Sequence, residues 1–192
     1  MEVVTTDTKQ RIQAVARELF AQKGVTNTSL QDIADRLSIT KPALYYHFSS
    51  REELVRSIVE PLLADGEAGV EELEQTPDVQ VRTAFEVFFD FHFRHRDVVR
   101  FLLVEPAALA ELGLLDRVFD WRERLATILH GPDPTVAQQI RAAVALGGLA
   151  DATVLFPDVP EAQLREVAVE AALGALSSAQ TPGSGRRTRR RS

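Results

Sequence analysis

The sequence predicts an all-α protein, and three observations lead to that prediction. Apolar residues recur at helical spacing, as at Ile12, Val15, Ala16, Leu19 and Phe20. Helix-capping patterns open several segments, whereas no stretch alternates with the period of two that marks a strand. The chain has 192 residues, of which 45% are hydrophobic, and this is enough to bury a core. We expect one large or two small domains with about nine helices in all.

The first part of the chain contains three predicted helices. The first covers residues 8–23 and stops at Gly24, the second opens with a capping box at 29–32, and the third is capped by Thr40. A short connection beginning at Ser38 lays the third helix across the second. This arrangement is the helix-turn-helix pattern.

The third helix carries polar and aromatic side chains on its front. Leu44 and Phe48 lie four positions apart and face the core. Tyr45, Tyr46 and Lys41 then remain free to reach phosphate oxygens or base edges. The N-termini of the second and fourth helices also suit phosphate, although the serines there equally serve as ordinary N-caps.

The remainder of the chain is also predicted to be helical. Ser50–Glu53 forms a second capping box, and the helix it opens continues to about Gln75, with a kink or restart expected at Pro61. A Pro, Gly, Ser and Arg tail at 181–192 is expected to be disordered. The further predicted helical segments are 78–95, 98–104, 106–112, 114–129, 135–155 and 161–178.

Charge and composition narrow the class of protein. The net charge of −6 divides into zero over residues 1–60, −11 over 61–185 and +5 over 186–192. An acidic body beside a neutral or basic part is typical of proteins that contact a polyanion. The absence of cysteine excludes disulfides and favours a reducing compartment. Residues 1–10 have no signal-peptide pattern and the longest apolar run, 142–150, is too short to span a bilayer, so we expect a cytoplasmic protein.

Two stretches resemble the DNA-binding domain of the TetR family of transcriptional regulators. They are ARELFAQKG at 16–24 and TSLQDIADRLSITKPALYYHFSSREEL at 28–54. In the second stretch the Leu-Tyr-x-His-Phe block is the most specific mark. Ser38 stands where the family usually has glycine. The resemblance covers about residues 8–60. It implies a homodimer whose two third helices read the half-sites of a palindromic operator in double-stranded DNA.

The resemblance also implies roles for individual residues and a division into domains. By position, the base-reading candidates are Gln31, Lys41, Tyr45, Tyr46 and His47, and the phosphate-binding candidates are Thr28, Ser29, Thr40 and Arg51. The expected division is a DNA-binding domain at 1–50, an effector-binding and dimerisation domain at 51–180, and the tail. The last two helices are expected to pair with their twins, and the small residues around Gly147 and Gly148 favour this independently, with core packing inside one chain as the alternative.

Members of the family often enclose a small-molecule cavity in the C-terminal part. Residues 85–93 contain five phenylalanines, which would suit a small apolar or aromatic effector, although a plain aromatic core is the alternative. Phe119 is expected to join the lining, with Asp90 or Arg122 as polar groups. The candidate lining residues are Phe85, Phe88, Phe89, His92, Phe101 and Trp121.

Other chemistry is not expected. His92 and His95 lack a third ligand at a diagnostic spacing, so no metal or cofactor is predicted. Motifs of hydrolases, zinc proteases and P-loop enzymes are missing, so no enzyme is predicted. The carboxylates of Glu71, Glu72, Glu74, Glu86 and Asp90 are interpreted as solvated, and the tail arginines either contact phosphates or stay solvated. The prediction is a ligand-released, dimeric transcriptional repressor; the alternative is a helical ligand-binding or adaptor protein whose helix-turn-helix contacts protein.

Overall fold

The computed structural model describes residues 2–104, 110 and 112–177, and these form nine helices and no strand. The all-α prediction is therefore confirmed. None of the helices described is long and apolar enough to cross a membrane. The predicted disordered tail and most of the predicted helix at 106–112 lie outside the described residues. In chain order the helices are α1 (Glu2–Lys23), α2 (Leu30–Leu37), α3 (Lys41–His47), α4 (Arg51–Gln75), α5 (Val81–Arg94), α6 (Arg96–Val104), α7 (Leu115–His130), α8 (Val136–Leu155) and α9 (Glu161–Ser177).

Helices α1 to α3 close around a small apolar core. α1 begins at Glu2, six residues before the predicted start, because residues 2–7 contain no proline or glycine and a nucleated helix extends at little cost. The predicted caps are present, since the side-chain oxygens of the residues before α2, α3 and α4 each accept a backbone N–H three residues on. The fully buried side chains of this core are Ile12, Ala16, Phe20, Ile33, Ala34 and Leu44.

The turn between α2 and α3 passes through a left-handed residue. Ser38 has φ 55° and ψ 39°, and the N–H of Ile39 bonds to the carbonyl of Ala34 at 3.0 Å. Glycine adopts this conformation freely, whereas a residue with a Cβ is strained in it. The turn thus keeps the geometry of a glycine turn at a small cost.

Helix α4 passes through Pro61 without ending there, so the predicted restart does not occur. Proline has no N–H to give to the carbonyl four residues earlier, which here belongs to Ser57. The side chain of Gln13 in α1 replaces that bond, because its Nε2 donates to the Ser57 carbonyl at 3.3 Å and to the Ser57 hydroxyl at 3.0 Å. The proline therefore creates a contact point between α1 and α4.

Two arginines of α7 bind glutamates of α4 and fix the two helices side by side. Arg117 donates to Glu60 at 2.7 Å and to both carboxylate oxygens of Glu67 at 2.6 and 2.9 Å. Arg124 binds both oxygens of Glu74 at 2.9 and 2.6 Å. These hydrogen bonds lower the pKa of Glu67 and Glu74 below the usual range of a glutamate.

Three of the carboxylates interpreted as solvated are in fact paired between helices. Besides Glu74, Asp90 accepts two bonds from Arg165 of α9, at 2.7 and 3.0 Å. Glu86 lies 3.5 Å from the same guanidinium. The side chains of Glu74 and Asp90 remain 39% and 43% exposed, so they are both solvated and paired. The sequence did not reveal the pairing because the partners are distant in the chain, where no local charge pattern can indicate them.

The conformation of Ser38 leads to a prediction about stability. Ser38→Gly should raise the free energy of unfolding by about 0.5 kcal/mol, because relief of the left-handed strain exceeds the entropy that glycine adds to the unfolded chain. Ser38→Val should lower it by about 1 kcal/mol or more, because β-branched residues tolerate positive φ worst. Urea unfolding at equilibrium measures both, and equal stability of the two variants would contradict the assignment of strain.

Candidate nucleic-acid interface and interior aromatic cluster

The front of α3 is exposed while its back is fixed. Leu44 is fully buried and Phe48, which ends the helix, is only 1% exposed. On the other side, Tyr46 is 81% exposed and Tyr45 is 44% exposed. The helix is therefore held by its apolar side and offers two aromatic rings to the outside.

A concave surface of about 390 Å³ lies between the N-terminus of α2, the face of α3 and the start of α4. Six of the nine predicted DNA-contacting residues line it, namely Thr28, Ser29, Gln31, Lys41, Tyr45 and Arg51. Ser49 and Ser50 line it too. Thr40, which caps α3, and Tyr46 and His47 of α3 are not among the lining residues of this concavity. The rings of Tyr46 and His47 meet edge to face at 5.3 Å between centroids.

Several of these candidates already have partners in the fold. Thr28 is buried, and its hydroxyl donates to the carbonyl of Gly24 at 2.7 Å, so its side chain is not presented to solvent. The hydroxyl of Thr40 accepts the N–H of Ala43. Arg51 reaches the carbonyls of residues 25 and 26 at 3.4 and 3.3 Å. Thr28 is thus structural through its side chain, whereas Arg51 lies at the rim of the concavity and also ties α4 to the loop before α2.

Carboxylates sit at both helix N-termini that face the concavity. Asp32 accepts bonds from Lys23 at 2.9 Å and from the N–H of Ser29 at 2.8 Å, and these lower its pKa to about 2. Glu53 accepts two bonds from Ser49, which lower its pKa as well. Because these carboxylates satisfy backbone donors at the helix starts, the positive charge of the surface comes mainly from Lys41 and Arg51.

The interior aromatic cluster is smaller than the set that the sequence predicted. All six candidates are buried, but ring contacts join only Phe88, His92 and Trp121, with centroids 4.0 to 6.2 Å apart. Phe91, which was not a candidate, completes the group, with its centroid 5.8 Å from that of Trp121. It belongs to the same run of phenylalanines, and its position across from Trp121 is visible only in three dimensions.

The other aromatic candidates separate from this cluster. Phe101 packs against Phe20 of α1 at 5.7 Å, and Phe89 stacks on Phe93. Phe119 is 63% exposed, so the expectation that it joins the lining is wrong. The reason is helical phase, since Trp121 and Leu125 give α7 a buried side on which Phe119 does not lie.

The aromatic cluster encloses little empty space. The gap beside it, between α4, α5 and α7, has a volume of about 20 Å³, and Phe88, Phe91 and Trp121 are among its lining residues. A gap of this size holds about one water molecule and not an effector. In the conformation described, the region is a packed core.

His92 is uncharged at neutral pH inside this core. Its Nδ1 donates to the carbonyl of Phe88 at 2.9 Å, because a carbonyl oxygen only accepts. Burial lowers the pKa of His92 to about 4, against the raising effect of that hydrogen bond. Among the described residues, no three side chains of metal-binding type lie close enough together to hold an ion.

Burial of His92 predicts a pH-dependent stability. The unfolded chain binds a proton near pH 6.5 and the folded chain only near pH 4, so stability falls as the pH drops through that window. Between pH 7.5 and 5 the loss should be about 2 kcal/mol. Urea midpoints at a series of pH values measure it, and His92→Gln should flatten the curve. Parallel curves for the two proteins would contradict the prediction.

Comparison with known proteins relates this chain to a family of regulators. Residues 12–58, which include α2, α3 and the start of α4, match the sequence model described as bacterial regulatory proteins of the tetR family. The transcriptional activator FasR of Mycolicibacterium smegmatis is 34% identical over 118 residues, covering 55% of this chain and 54% of that protein. The regulator AcrR of Shigella flexneri is 41% identical over 68 residues, covering 35% and 31%. The chain thus spans about half or less of the length of these curated relatives.

Solved structures extend the likeness to the whole fold. A transcriptional regulator from Aquifex aeolicus superposes with a TM-score of 0.66 at 26% identity, covering 85% of this chain and 96% of that one. PfmR from Thermus thermophilus, a TetR family regulator, gives 0.63 at 28% identity, covering 86% and 97%. All of these proteins are named as transcriptional regulators, in agreement with the prediction that the chain is not an enzyme. By the sequence of residues 12–58 and by its fold, the chain is similar to the TetR family of bacterial regulatory proteins.

Proposed function

We propose that the chain is a homodimeric transcriptional repressor that binds a palindromic DNA operator and is released by a small effector. The observation that carries the proposal is the front of α3, with two exposed tyrosines and Lys41 fixed from behind by Leu44 and Phe48. Helices α1 to α3 form the DNA-binding part of the proposed division, and α4 to α9 form the effector-binding and dimerisation part.

The proposed contacts follow from chemistry and position. Tyr45 and Tyr46 have hydroxyls that reach phosphate oxygens and rings that contact thymine methyl groups. The ammonium of Lys41 lies 5.7 Å from the ring centroid of Tyr45, so both approach the same part of the duplex. Gln31 and His47 complete the base-reading set, and Ser29, Thr40 and Arg51 flank it for the phosphates, with Thr28 limited to its backbone.

A second copy of the chain is the proposed partner for α8 and α9. Their outer face contains an apolar concavity of about 490 Å³ whose lining includes Gly148, Ala171 and Ala175. Val144 and Val167 on this face are 61% and 62% exposed. Nothing lies within 4 Å of a Cβ built on Gly147 or Gly148, so the glycines that predicted a close approach face open space in the single chain. A soluble protein covers such a face by association.

The proposed effector acts through α4. An apolar or aromatic molecule that enters beside Phe88 and Trp121 finds only about 20 Å³, so it must separate α4 from α5 and α7. Arg51 connects α4 to the loop before α2, and the contact between Gln13 and Ser57 connects it to α1. Displacing α4 therefore moves the DNA-binding part, with a coupling of about 1–3 kcal/mol typical of such systems.

Repression is the proposed output for a steric reason. A dimer seated on an operator excludes other proteins from that duplex by its volume alone, whereas activation requires an additional contact with the transcription machinery. The relative from M. smegmatis is named an activator, which is the opposite output, and a reporter gene distinguishes repression from activation directly.

The exposed ring of Tyr46 gives the decisive test of DNA binding. We expect selection from random duplexes to return a palindrome, and Tyr46→Ala to weaken its retention in gel shifts about fivefold or more, because direct readout contacts are worth about 1–3 kcal/mol each. Phe119→Ala, which truncates another exposed aromatic ring, on α7, is the matched control and should bind normally. A reporter under the operator should rise with Tyr46→Ala.

Two results would contradict this proposal. If no duplex is enriched, the helix-turn-helix contacts something other than DNA, as the adaptor alternative holds. If the reporter falls with Tyr46→Ala, the output is activation.

The apolar face of α8 and α9 gives a test of dimerisation. Val144→Asp should shift the particle from the mass of two chains to that of one, because an unpaired carboxylate cannot be buried in the seam without a large cost. Light scattering after size exclusion measures the mass. Phe119→Asp places the same charge on an exposed site of α7 and should leave the dimer intact. If the unmodified protein has the mass of a single chain, the proposed contact between two copies through α8 and α9 is contradicted.

A further inference from the structure

We propose that the gap beside Trp121 is a hydrogen-bonding subsite that selects a neutral, largely apolar effector carrying one acceptor oxygen, such as a ketone or an ether. This inference rests on the proposed effector function and names the chemical class that the site would accept. It is carried by an unsatisfied buried donor, by the shape of the gap and by the charges that line it.

The donor is the indole N–H of Trp121. The side chain is 3% exposed, and Nε1 is buried without a hydrogen-bond partner among the described residues. A buried donor left without a partner costs about 1–3 kcal/mol, so native proteins seldom keep one without a reason. Indole nitrogen only donates, and its complement must therefore be an acceptor.

The gap lies beside the part of the ring that carries this donor. A Cβ built on Gly66 of α4 would stand 3.5 Å from Trp121 Cε2, the atom bonded to Nε1, and 3.3 Å from Phe91 Cζ. Gly66, Gly69 and Trp121 all line the gap. Glycine at position 66 thus leaves room beside the indole where a side chain would fill it. The volume of about 20 Å³ admits one oxygen-sized group, and no larger polar group.

The charge of the lining disfavours an anionic effector. Among the described residues, no basic side chain lines the gap, and the one ionisable lining group is the carboxylate of Asp65. Asp65 is 45% exposed at the rim, where His95 Nε2 lies 2.8 Å from its Oδ2. Arg94 lies 3.6 Å from the same carboxylate and is thus already paired with it, so a carboxylate ligand in the gap would meet this acid and no cation of the described lining. The remaining lining is aliphatic and aromatic, which suits an apolar body behind the oxygen.

The chain contains one tryptophan, so its single indole resonance in a ¹H–¹⁵N spectrum reports the donor directly. The probes are two matched pairs, cyclohexanone with methylenecyclohexane, and 2-heptanone with 2-methyl-1-heptene. Each pair exchanges C=O for C=CH₂ at nearly constant shape. We expect at least one ketone to move the indole proton downfield in a saturable manner, and its alkene partner not to do so.

Variants separate the hydrogen bond from general apolar binding. Trp121→Phe should lower the affinity for that ketone, relative to its alkene, about fivefold or more, as ligand-observed titrations measure. Gly66→Ala should abolish the downfield shift, because its methyl group occupies the gap. Gly174→Ala, at a helical glycine with nothing within 4 Å that lines neither the gap nor the concavity of α8 and α9, is the control and should retain it.

The outcomes are distinct from those that test the regulator. If neither ketone shifts the indole proton, or if alkene and ketone shift it alike, the subsite is overturned. Operator retention by the ligand-free protein is measured separately and is unaffected by that result. If the ketone shift is present but operator binding is absent, the subsite stands and the proposed function fails.

Discussion

The burial of Leu44 and Phe48 is the constraint on which the proposed DNA-binding surface depends. α3 is seven residues long, and a helix of that length does not persist in water. Its conformation is therefore imposed by the core of α1 and α2, into which Leu44 and Phe48 insert. Full burial of such side chains contributes about 1.5–3 kcal/mol each. Because all of this stabilisation comes from behind, the front of α3 is free to vary in chemistry without loss of the fold.

Helix α4 joins that small core to the rest of the chain. On one side it is tied to α1 through the carbonyl that Pro61 leaves free, which Gln13 takes up. On the other side, glutamates spaced seven residues apart meet the two arginines of α7. These ion pairs are partly exposed and individually worth little. Their bidentate geometry instead fixes the register of the two helices, so that α4 moves against α7 only by breaking several bonds together.

Sequence reasoning succeeded where the signals are local. The caps at Ser29, Thr40 and Ser50 and the limits of α8 and α9 follow from residues within one helical turn. The structure has the caps where they were predicted and the helix limits within one residue of the prediction. It failed where partners are distant in the chain. The pairing of Asp90 with Arg165 spans 75 positions, and neither residue indicates the other in the sequence. The aromatic run predicted a lining, but only tertiary packing decides which rings meet Trp121.

The closed state of the aromatic cluster has a consequence for the proposed regulation. A ligand shifts an equilibrium only by its difference in affinity between two conformations. A gap of about 20 Å³ admits one oxygen but not the body that carries it, so the described conformation binds such an effector poorly. Any conformation that binds it well has α4 displaced from Phe91 and Trp121. The close packing that stabilises the ligand-free core thus also creates the difference in affinity between the two conformations. A looser core would bind the effector more tightly, but effector binding would then change the affinity for DNA less.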